Sequence, residues 1–400
     1  MATRKPARIF AGIGVGLLIL WLLFMSRTAP AAVGIRMADW KGTGLLRNNK
    51  PGDVINDVFN ASLGFEKIFV VGLPERTDRR DGITLQAAFS DLEFEFIDGI
   101  SGEKVADKAI PKTTEHDRLD NGAIGCWRAH MNALQEVVRR NLGSALILED
   151  DADWDVRIRQ QLYDMALSSQ ALIQPLAGTT NSFADKTFRP PPEGPPKGVP
   201  EFPINRLPKT VPATVTPYGD MWDLIWVGHC GMRMPPADSP VPRGRVVSVN
   251  DESVPEKRYL WSLAPPFTLK DDYPDHTRVV HHAQEGVCTL GYAVTQRGAR
   301  ALLQEVALKD VGDPVDILLR FYCEGGKGRR NHNCLAIQPA LFNHHRTEGP
   351  RSAMSNIGSH EGWQDKPSTD MTRWSVRLNV ERLLDGQEMW DQLPNQNKPE

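Results

Sequence analysis

This sequence of 400 residues lacks a large charge excess, a paired-cysteine motif and a phosphate-binding loop. Its 47 Lys and Arg against 50 Asp and Glu leave a formal net charge of −3, so nothing favours nucleic acid as a partner. The five cysteines form no CxxC pair, which argues against a structural zinc site. Their odd number leaves at least one thiol outside an intramolecular disulfide, and spacing does not reveal the pairing. No GxxxxGKS/T motif is present, which argues against a phosphate-loop enzyme.

The longest apolar run lies at the N-terminus. Residues 9–25 read IFAGIGVGLLILWLLFM and follow the basic residues Arg4, Lys5 and Arg8. At ~1.5 Å per residue against a hydrocarbon core of ~30 Å, this run is a short membrane-spanning helix. The basic flank predicts a single-pass type II anchor with residues 1–8 in the cytosol. The alternative is a cleaved signal peptide with a weak small-residue site at 29–31.

A type II anchor would place the rest of the chain in the lumen of the secretory pathway, and we expect the Golgi. Residues 26–63 would form a stem, and the glycosylation sequon Asn60-Ala61-Ser62 fits a lumenal location. The membrane is therefore an expected partner through the N-terminal helix.

Short apolar segments alternate with helical patterns in the next part of the chain. Residues 68–73, 94–97 and 144–148 suit buried strands, and apolar residues recur at helical spacing over 122–141. This order of strand, helix and strand implies right-handed crossovers. The sequence therefore predicts an α/β fold: a Rossmann-like, mostly parallel sheet with helices on both faces.

The second half of the chain is less regular. We expect the main domain to span 64–350, with a proline-rich loop or insertion at about 186–218 and a peripheral, polar C-terminal extension at 351–400. The remaining apolar patterns predict strands at 223–227, 287–294 and 335–342, and helices at 296–305 and 314–322.

Four carboxylates follow the predicted strand at 144–148: Glu149, Asp150, Asp151 and Asp153. Ligands of open parallel sheets bind beyond the carboxyl ends of the strands. Acids gathered there repel one another unless a divalent cation neutralises them, so Glu149, Asp151 and Asp153 are candidate metal ligands. A solvated acidic turn or a helix N-cap remains the alternative.

Two further segments suit a phosphorylated ligand. The helix predicted at 122–141 begins with glycines, and its first N–H groups, with Gly125 and His130, can face an anion, although a single His there is more often a packed residue. Arg76, Arg79 and Arg80 follow the first strand and can clamp a diphosphate, unless they form only a solvated charged loop. Asp98, at the end of the second strand, and Asp150 complete the candidate nucleotide-binding residues.

These segments together resemble a known enzyme family. The set IFVVGLPERTDRR, GAIGCWRAH followed by ALILEDDA, WDLIWVGHCG, TLGYAVTQRGARALL and a PVD segment is similar to glycosyltransferase family 25. This family includes bacterial lipooligosaccharide galactosyltransferases and collagen hydroxylysine galactosyltransferases. The resemblance runs from about residue 66 to residue 346, with the proline-rich loops as insertions.

The resemblance implies a GT-A fold that uses a UDP-sugar donor and Mn²⁺. Asp151 would then be the best metal ligand, and Glu149 would lie near the metal or the ribose. Val71, Arg76 and Arg80 would lie near the nucleotide. Asp153 extends the cluster beyond the usual motif of the family.

An inverting transferase needs a carboxylate that takes the proton of the acceptor hydroxyl. Asp316 is the first candidate, Asp313 the second and Asp223 the third, although Asp313 or Asp316 can equally be a helix N-cap. His344 can complete the metal ligands through a ring nitrogen.

The sequence thus predicts metal-dependent transfer of a hexose, such as galactose, from a UDP-sugar to a hydroxyl of a glycan or glycoprotein. Two alternatives stay open. One is another metal-dependent phosphotransfer enzyme, and the other is a non-catalytic lumenal sugar-binding protein that retains the fold.

Overall fold

The computed structural model describes residues 54–111, 117–191, 194–309, 311–357 and 361–396. The predicted cytosolic tail, the anchor at 9–25 and most of the stem lie outside these ranges. Within them, no helix is long and apolar enough to span a bilayer. The described residues other than 385–388 belong to one compact unit.

The described residues form strands and helices with the following bounds. The strands are β1 (Lys67–Gly72), β2 (Glu95–Asp98), β3 (Ser144–Glu149), β4 (Ala152–Trp154), β5 (Glu201–Pro203), β6 (Leu224–Gly228), β7 (Gly231–Arg233), β8 (Arg245–Ser248), β9 (Arg278–His282), β10 (Gln284–Val287), β11 (Gly291–Thr295), β12 (Cys334–Gln338), β13 (Phe342–Arg346), β14 (Gly349–Pro350), β15 (Trp363–Gln364) and β16 (Ser368–Thr369). The α-helices are α1 (Thr77–Phe89), α2 (Asn121–Arg139), α3 (Ile158–Ile173), α4 (Thr268–Asp272), α5 (Gln296–Leu302), α6 (Val315–Glu324) and α7 (Val380–Asp385). Short 3-10 turns span Val54–Phe59, Gly102–Lys104, Asp107–Ala109, Ile204–Arg206, Lys257–Tyr259, Arg351–Ala353 and Arg377–Asn379, and a π-helical turn at Leu303–Ala307 extends α5.

A nine-stranded sheet with the order β2-β1-β3-β11-β6-β12-β9-β8-β5 forms the centre of the fold. β11 and β9 run antiparallel to their neighbours, so the other seven strands share one direction. The prediction of an α/β protein with a mostly parallel sheet is therefore confirmed at this level.

Helices cover both faces of this sheet because alternate residues of each central strand point to opposite sides. Ile68 and Val70 of β1 pack in one core with residues of α1 and α3. Phe69 and Val71 of the same strand pack in a second core with residues of α2, α5 and α6. The predicted helices on both faces are thus confirmed.

Two predicted strands are each divided in the structure. The segment 287–294 forms the end of β10 and then β11, because Cys288 adopts a positive φ of 65° and interrupts the extended backbone. The segment 335–342 is divided between β12 and the start of β13, with the Gln338-Pro339 peptide at the break. As a result, His344 lies within a strand rather than after one.

Two segments pack more closely than the sequence suggests. The proline-rich segment at 186–218 supplies β5, which pairs with β8 at the edge of the sheet. The C-terminal segment is not wholly peripheral, because Thr369, Ser375 and Asn379 are buried. β16 pairs with β13, and β13 pairs with β4, so this segment completes a small sheet beside the ends of the central strands.

Candidate active site at the carboxyl ends of the central strands

A cleft of about 910 Å³ opens where β1 and β3 end, which is the expected ligand position in an open α/β sheet. This volume lies at the upper end of the usual range for small-molecule sites, ~300–1,000 Å³. Of the predicted site residues, those that line the cleft are Val71, Arg76, Gly125, His130, Glu149, Asp150, Asp151, Asp316 and His344.

Glu149, Asp151 and His344 form a compact set of possible metal ligands. One donor atom of each lies within 4.8 Å of the others. Pairing of β13 with β4 brings His344 opposite Ala152, and the His345 N–H donates to the Asp151 carbonyl at 2.9 Å. Asp151 Oδ1 is buried and has no hydrogen-bond partner in the protein. Carboxylate oxygens and an imidazole suit a divalent cation such as Mn²⁺, so these residues fit the predicted metal.

Arg79 faces the same acids from the first turn of α1. Its guanidinium lies 2.8 Å from Asp150 Oδ1 and 3.3 Å from Asp151 Oδ2, and it donates to the Met354 carbonyl at 2.6 Å. Burial raises the pKa of Asp150 to about 6, although Arg79 opposes the shift. Gly72 permits this approach, because a Cβ there would lie 2.2 Å from Asp150 Oδ2. Of the three arginines that the sequence offered for a diphosphate, Arg79 is thus the one that faces these acids, although the resemblance placed only Arg76 and Arg80 near the nucleotide. Its direction on the helix distinguishes it from Arg80.

Arg80 and Asp98 do not line the cleft. They form an ion pair with each other, and the Arg80 guanidinium lies 4.4 Å from the centre of the Phe96 ring. The structure therefore does not support their predicted place in the site. Arg80 points away from the acids that Arg79 faces, because successive helical residues point about 100° apart. Arg76 does line the cleft, where it is held by Asp78 and Asn356.

The N-terminus of α2 also borders the cleft, but it is capped from within. Asp120 accepts a hydrogen bond from the Ala123 N–H at 2.9 Å, which leaves fewer free N–H groups for an anion. The glycine at 125 has a packing role, because a Cβ there would lie 2.9 Å from the Ile100 carbonyl oxygen. Close approach of the 100–102 loop, rather than of a ligand, therefore explains this glycine.

His130 is buried in a network that ends at Glu149. Its Nδ1 lies 3.1 Å from the Tyr292 hydroxyl, and its Nε2 lies 3.2 Å from Thr289 Oγ1 and 3.4 Å from Glu149 Oε1. The Thr289 hydroxyl donates to Glu149 at 2.7 Å. Burial alone would raise the pKa of Glu149, but the hydrogen bond and charge of His130 prevail and lower it to about 2. Glu149 is thus held as a carboxylate.

Four of the five cysteines are paired, and one of the two pairs, Cys230 and Cys288, lines the cleft. Cys230 and Cys288 form a disulfide, Cys323 and Cys334 form another, and Cys126 is free. Burial and the nearby charges of Glu149 and Asp316 raise the pKa of the Cys126 thiol.

Only the first of the three candidate bases faces the cleft. Asp316 Oδ2 accepts a hydrogen bond from the Cys288 N–H at 2.9 Å. Asp313 lies outside the cleft lining and pairs with Lys327 at 2.5 Å. Asp223 precedes β6 and binds Arg297 and the Asn333 N–H, at the other end of the sheet. Neither Asp313 nor Asp223 lines the cleft in the structure, so Asp316 stays the first candidate base.

Asp153 is also separate from the other acids. It is fully buried, and its carboxylate accepts hydrogen bonds from protein groups alone. The donors are Gln86 Nε2, Trp154 N, Thr369 Oγ1, Ser375 Oγ and Arg377 N. The structure therefore removes Asp153 from the candidate metal ligands, because no oxygen remains for a cation in the cleft.

Part of the chain matches a known protein family. Residues 65–186 match the family model described as glycosyltransferase family 25 (LPS biosynthesis protein). The resemblance to glycosyltransferase family 25 is confirmed. The family match contains β1, α2 and the acids at the end of β3, whereas Asp316 and His344 lie beyond it.

The curated relatives that this chain matches are distant in sequence. Procollagen galactosyltransferase 1-B of Xenopus laevis is 24% identical over 212 residues, which cover 50% of this chain and 27% of that protein. Procollagen galactosyltransferase 1 of Danio rerio is 28% identical over 120 residues, or 27% of this chain and 20% of that protein. Inactive glycosyltransferase 25 family member 3 of Homo sapiens is 26% identical over 113 residues, which cover 26% of this chain and 19% of that protein. The chain thus spans less than a third of the length of each of these relatives.

Proposed function

We propose that this chain is a metal-dependent glycosyltransferase with a GT-A-type fold. It transfers a hexose, such as galactose, from a UDP-sugar to a hydroxyl group of a glycan or glycoprotein, with inversion at the anomeric carbon. The observation that carries this proposal is the set Glu149, Asp151 and His344 at the end of β3, in which Asp151 Oδ1 has no protein partner. The family 25 match and the galactosyltransferase names of two relatives support the choice of reaction.

The proposed chemistry has two parts, metal binding and proton transfer. The oxygen and nitrogen ligands of Glu149, Asp151 and His344 would hold a divalent cation. Such a cation would neutralise charge on the departing diphosphate. Arg76 and Arg79 also line the cleft, where they favour an anionic nucleotide.

Asp316, held by the Cys288 N–H, would take the proton from the acceptor hydroxyl as its oxygen attacks the anomeric carbon. The bond to UDP breaks in the same displacement. Inversion follows from a single attack opposite the leaving group.

UDP binding with and without Mn²⁺ tests the metal site, and calorimetry is the measurement. We expect binding in Mn²⁺ that is lost in EDTA, because the acids beside the diphosphate need a cation for charge compensation. Equal affinity in EDTA would contradict the metal-dependent site. A panel of UDP-sugars, assayed for Mn²⁺-dependent hydrolysis, then identifies the donor.

A non-catalytic sugar-binding protein is the second candidate, and one contact favours it. Arg79 already compensates part of the charge of Asp150 and Asp151. One relative is named an inactive family member. Binding of UDP without hydrolysis or transfer, across the donor panel and with glycan and peptide acceptors, would support this candidate.

We also propose that the chain is anchored by residues 9–25 and faces the lumen of the secretory pathway, because this run has no charged residue. Carbonate extraction of membranes tests the anchor. Retention of the full-length chain in the pellet is expected, whereas release of a shortened form indicates a cleaved signal peptide.

A further inference from the structure

A second group of possible metal ligands adjoins the first. The Cys126 thiol, the His130 imidazole and the Glu149 carboxylate each offer one atom, and these atoms lie within 4.8 Å of one another. Cys126 and His130 are four residues apart on α2 and so share a face of the helix. Glu149 reaches them from the end of β3. Cys126 is available for this purpose because the other four cysteines are paired.

The two groups differ in chemistry although they share Glu149. Glu149, Asp151 and His344 offer carboxylates and one imidazole, which suit hard cations such as Mn²⁺ or Mg²⁺. Cys126 adds a sulfur ligand to His130 and Glu149, and a thiolate with an imidazole favours Zn²⁺ or another thiophilic cation.

The surroundings also orient His130 as a ligand. Its Nδ1 contacts the Tyr292 hydroxyl at 3.1 Å, so its Nε2 faces Thr289 and Glu149. A protein hydrogen bond on one ring nitrogen is the usual way in which a metal-ligating histidine is held. The Glu149 carboxylate adds a negative charge that attracts a cation, and a cysteine binds a metal only as the thiolate. Cation binding would therefore displace the thiol proton.

We propose that Cys126, His130 and Glu149 form a thiophilic cation site that takes Zn²⁺. Because a cation bound there occupies Glu149, it competes with the cation held by Glu149, Asp151 and His344. Zinc thus inhibits any activity that depends on the harder cation. The binding itself does not require the chain to be a glycosyltransferase.

Cd²⁺ titration of the full-length chain, purified without reductant, tests the site. Thiol quantification under denaturing conditions first establishes one free thiol. We expect an ultraviolet thiolate-to-Cd²⁺ absorption band that saturates at one equivalent, and saturating Mn²⁺ should shift the titration to higher Cd²⁺ concentration. No band at saturating Cd²⁺ would overturn the site, and a titration unaffected by Mn²⁺ would overturn the sharing of Glu149.

Two variants separate this site from the proposed catalytic metal site. Cys126→Ser should lose the band. It should also weaken Zn²⁺ binding by at least about 100-fold, which exceeds the usual loss of affinity when a residue that only hydrogen-bonds to a metal ligand is replaced. Asp151→Asn is the matched control and should keep the band, because Asp151 is not in this group. An unchanged band in Cys126→Ser would overturn the proposal. If that variant does not fold, the band in the wild-type chain decides, since its one free thiol is Cys126.

Discussion

At the residue scale, the two acids of the Asp-x-Asp sequence, Asp151 and Asp153, have different surroundings. Asp151 lies in the turn after β3 and keeps one oxygen without a protein partner. Asp153 lies two residues later in β4, where its carboxylate is surrounded by donors of the protein. The difference arises because the chain turns at 150–151 before β4 pairs with β13. Spacing along the sequence therefore did not distinguish a possible ligand from a structural acid.

Asp151→Asn and Asp316→Asn are expected to fail in different ways. Loss of Asp151 removes a ligand, so both UDP–Mn²⁺ affinity and turnover should fall. Loss of Asp316 should leave UDP–Mn²⁺ affinity nearly intact while lowering turnover by roughly two to four orders of magnitude, the usual share of a general base. Calorimetry and single-donor kinetics on each variant measure the two effects.

Asp313→Asn is the matched control for Asp316→Asn, because Asp313 lies three residues away and pairs with Lys327 outside the cleft lining. Its turnover should stay within a few-fold of the wild-type value, because surface ion pairs usually contribute little. Near-normal turnover in Asp316→Asn would remove Asp316 as the base.

Asp164 on α3 provides a test of pH dependence away from the cleft. Burial, followed by the charge of Asp251, raises its pKa to about 6, compared with about 3.9 in an unfolded chain. The folded chain therefore holds this proton more tightly. The contribution of Asp164 to stability is complete below about pH 4 and is lost as the pH rises through about 6.

Asp164→Asn should therefore be more stable than the wild-type chain at pH 7.5, by up to about 3 kcal/mol at 1.36 kcal/mol per pKa unit. This advantage should shrink at pH 5. Urea unfolding at both pH values is the measurement. Asp238→Asn, a change at an exposed acid, is the control and should show no such advantage. A difference independent of pH would contradict the assignment to Asp164.

At the element scale, the C-terminal segment supports the strand that carries His344. β16 pairs with β13 through His345 and Thr369, and β13 pairs with β4. The hydroxyls of Thr369 and Ser375 both donate to Asp153. These bonds stabilise a fully buried carboxylate that would otherwise be costly. The segment thus links the end of the chain to the geometry of the cleft.

Thr369→Val should destabilise the protein by about 1–3 kcal/mol, because it leaves Asp153 without one of its donors. The free energy of unfolding in urea measures the loss. Thr369→Ser, which keeps the hydroxyl, should recover most of it. Equal losses in the two variants would attribute the effect to packing rather than to the hydrogen bond.

At the scale of the whole molecule, the two disulfides join segments at different distances along the chain. Cys230 and Cys288 are 58 residues apart, and both line the cleft. Cys323 and Cys334 are 11 residues apart and belong to the core between α6 and β12. Loop-closure entropy therefore predicts contributions of about 4 and about 3 kcal/mol.

Replacing each pair by serines should reproduce this order in the free energy of unfolding. The Cys230→Ser/Cys288→Ser variant should also lose turnover under conditions in which it is fully folded, because the disulfide holds the backbone whose Cys288 N–H donates to Asp316. The Cys323→Ser/Cys334→Ser variant serves as the control for that second effect. Equal turnover in the two folded variants would show that this disulfide has no role in the active site.

The sequence by itself determined the order and type of most elements around the cleft. The predicted segments at 68–73, 122–141 and 144–148 correspond to β1, α2 and β3, because apolar spacing is a local property of the chain. The position of the acids after β3 followed from the same local pattern. That was enough to predict the sheet and the general place of the site.

Only the tertiary structure decided which side chains meet there. His344 reaches Asp151 through the pairing of β13 with β4, a contact between segments nearly 200 residues apart. Arg79 rather than Arg80 faces the acids because of its direction on α1. Thr369 and Ser375 enclose Asp153 from the far end of the chain. These contacts depend on strand register and side-chain direction, which the spacing of residues along the chain does not specify.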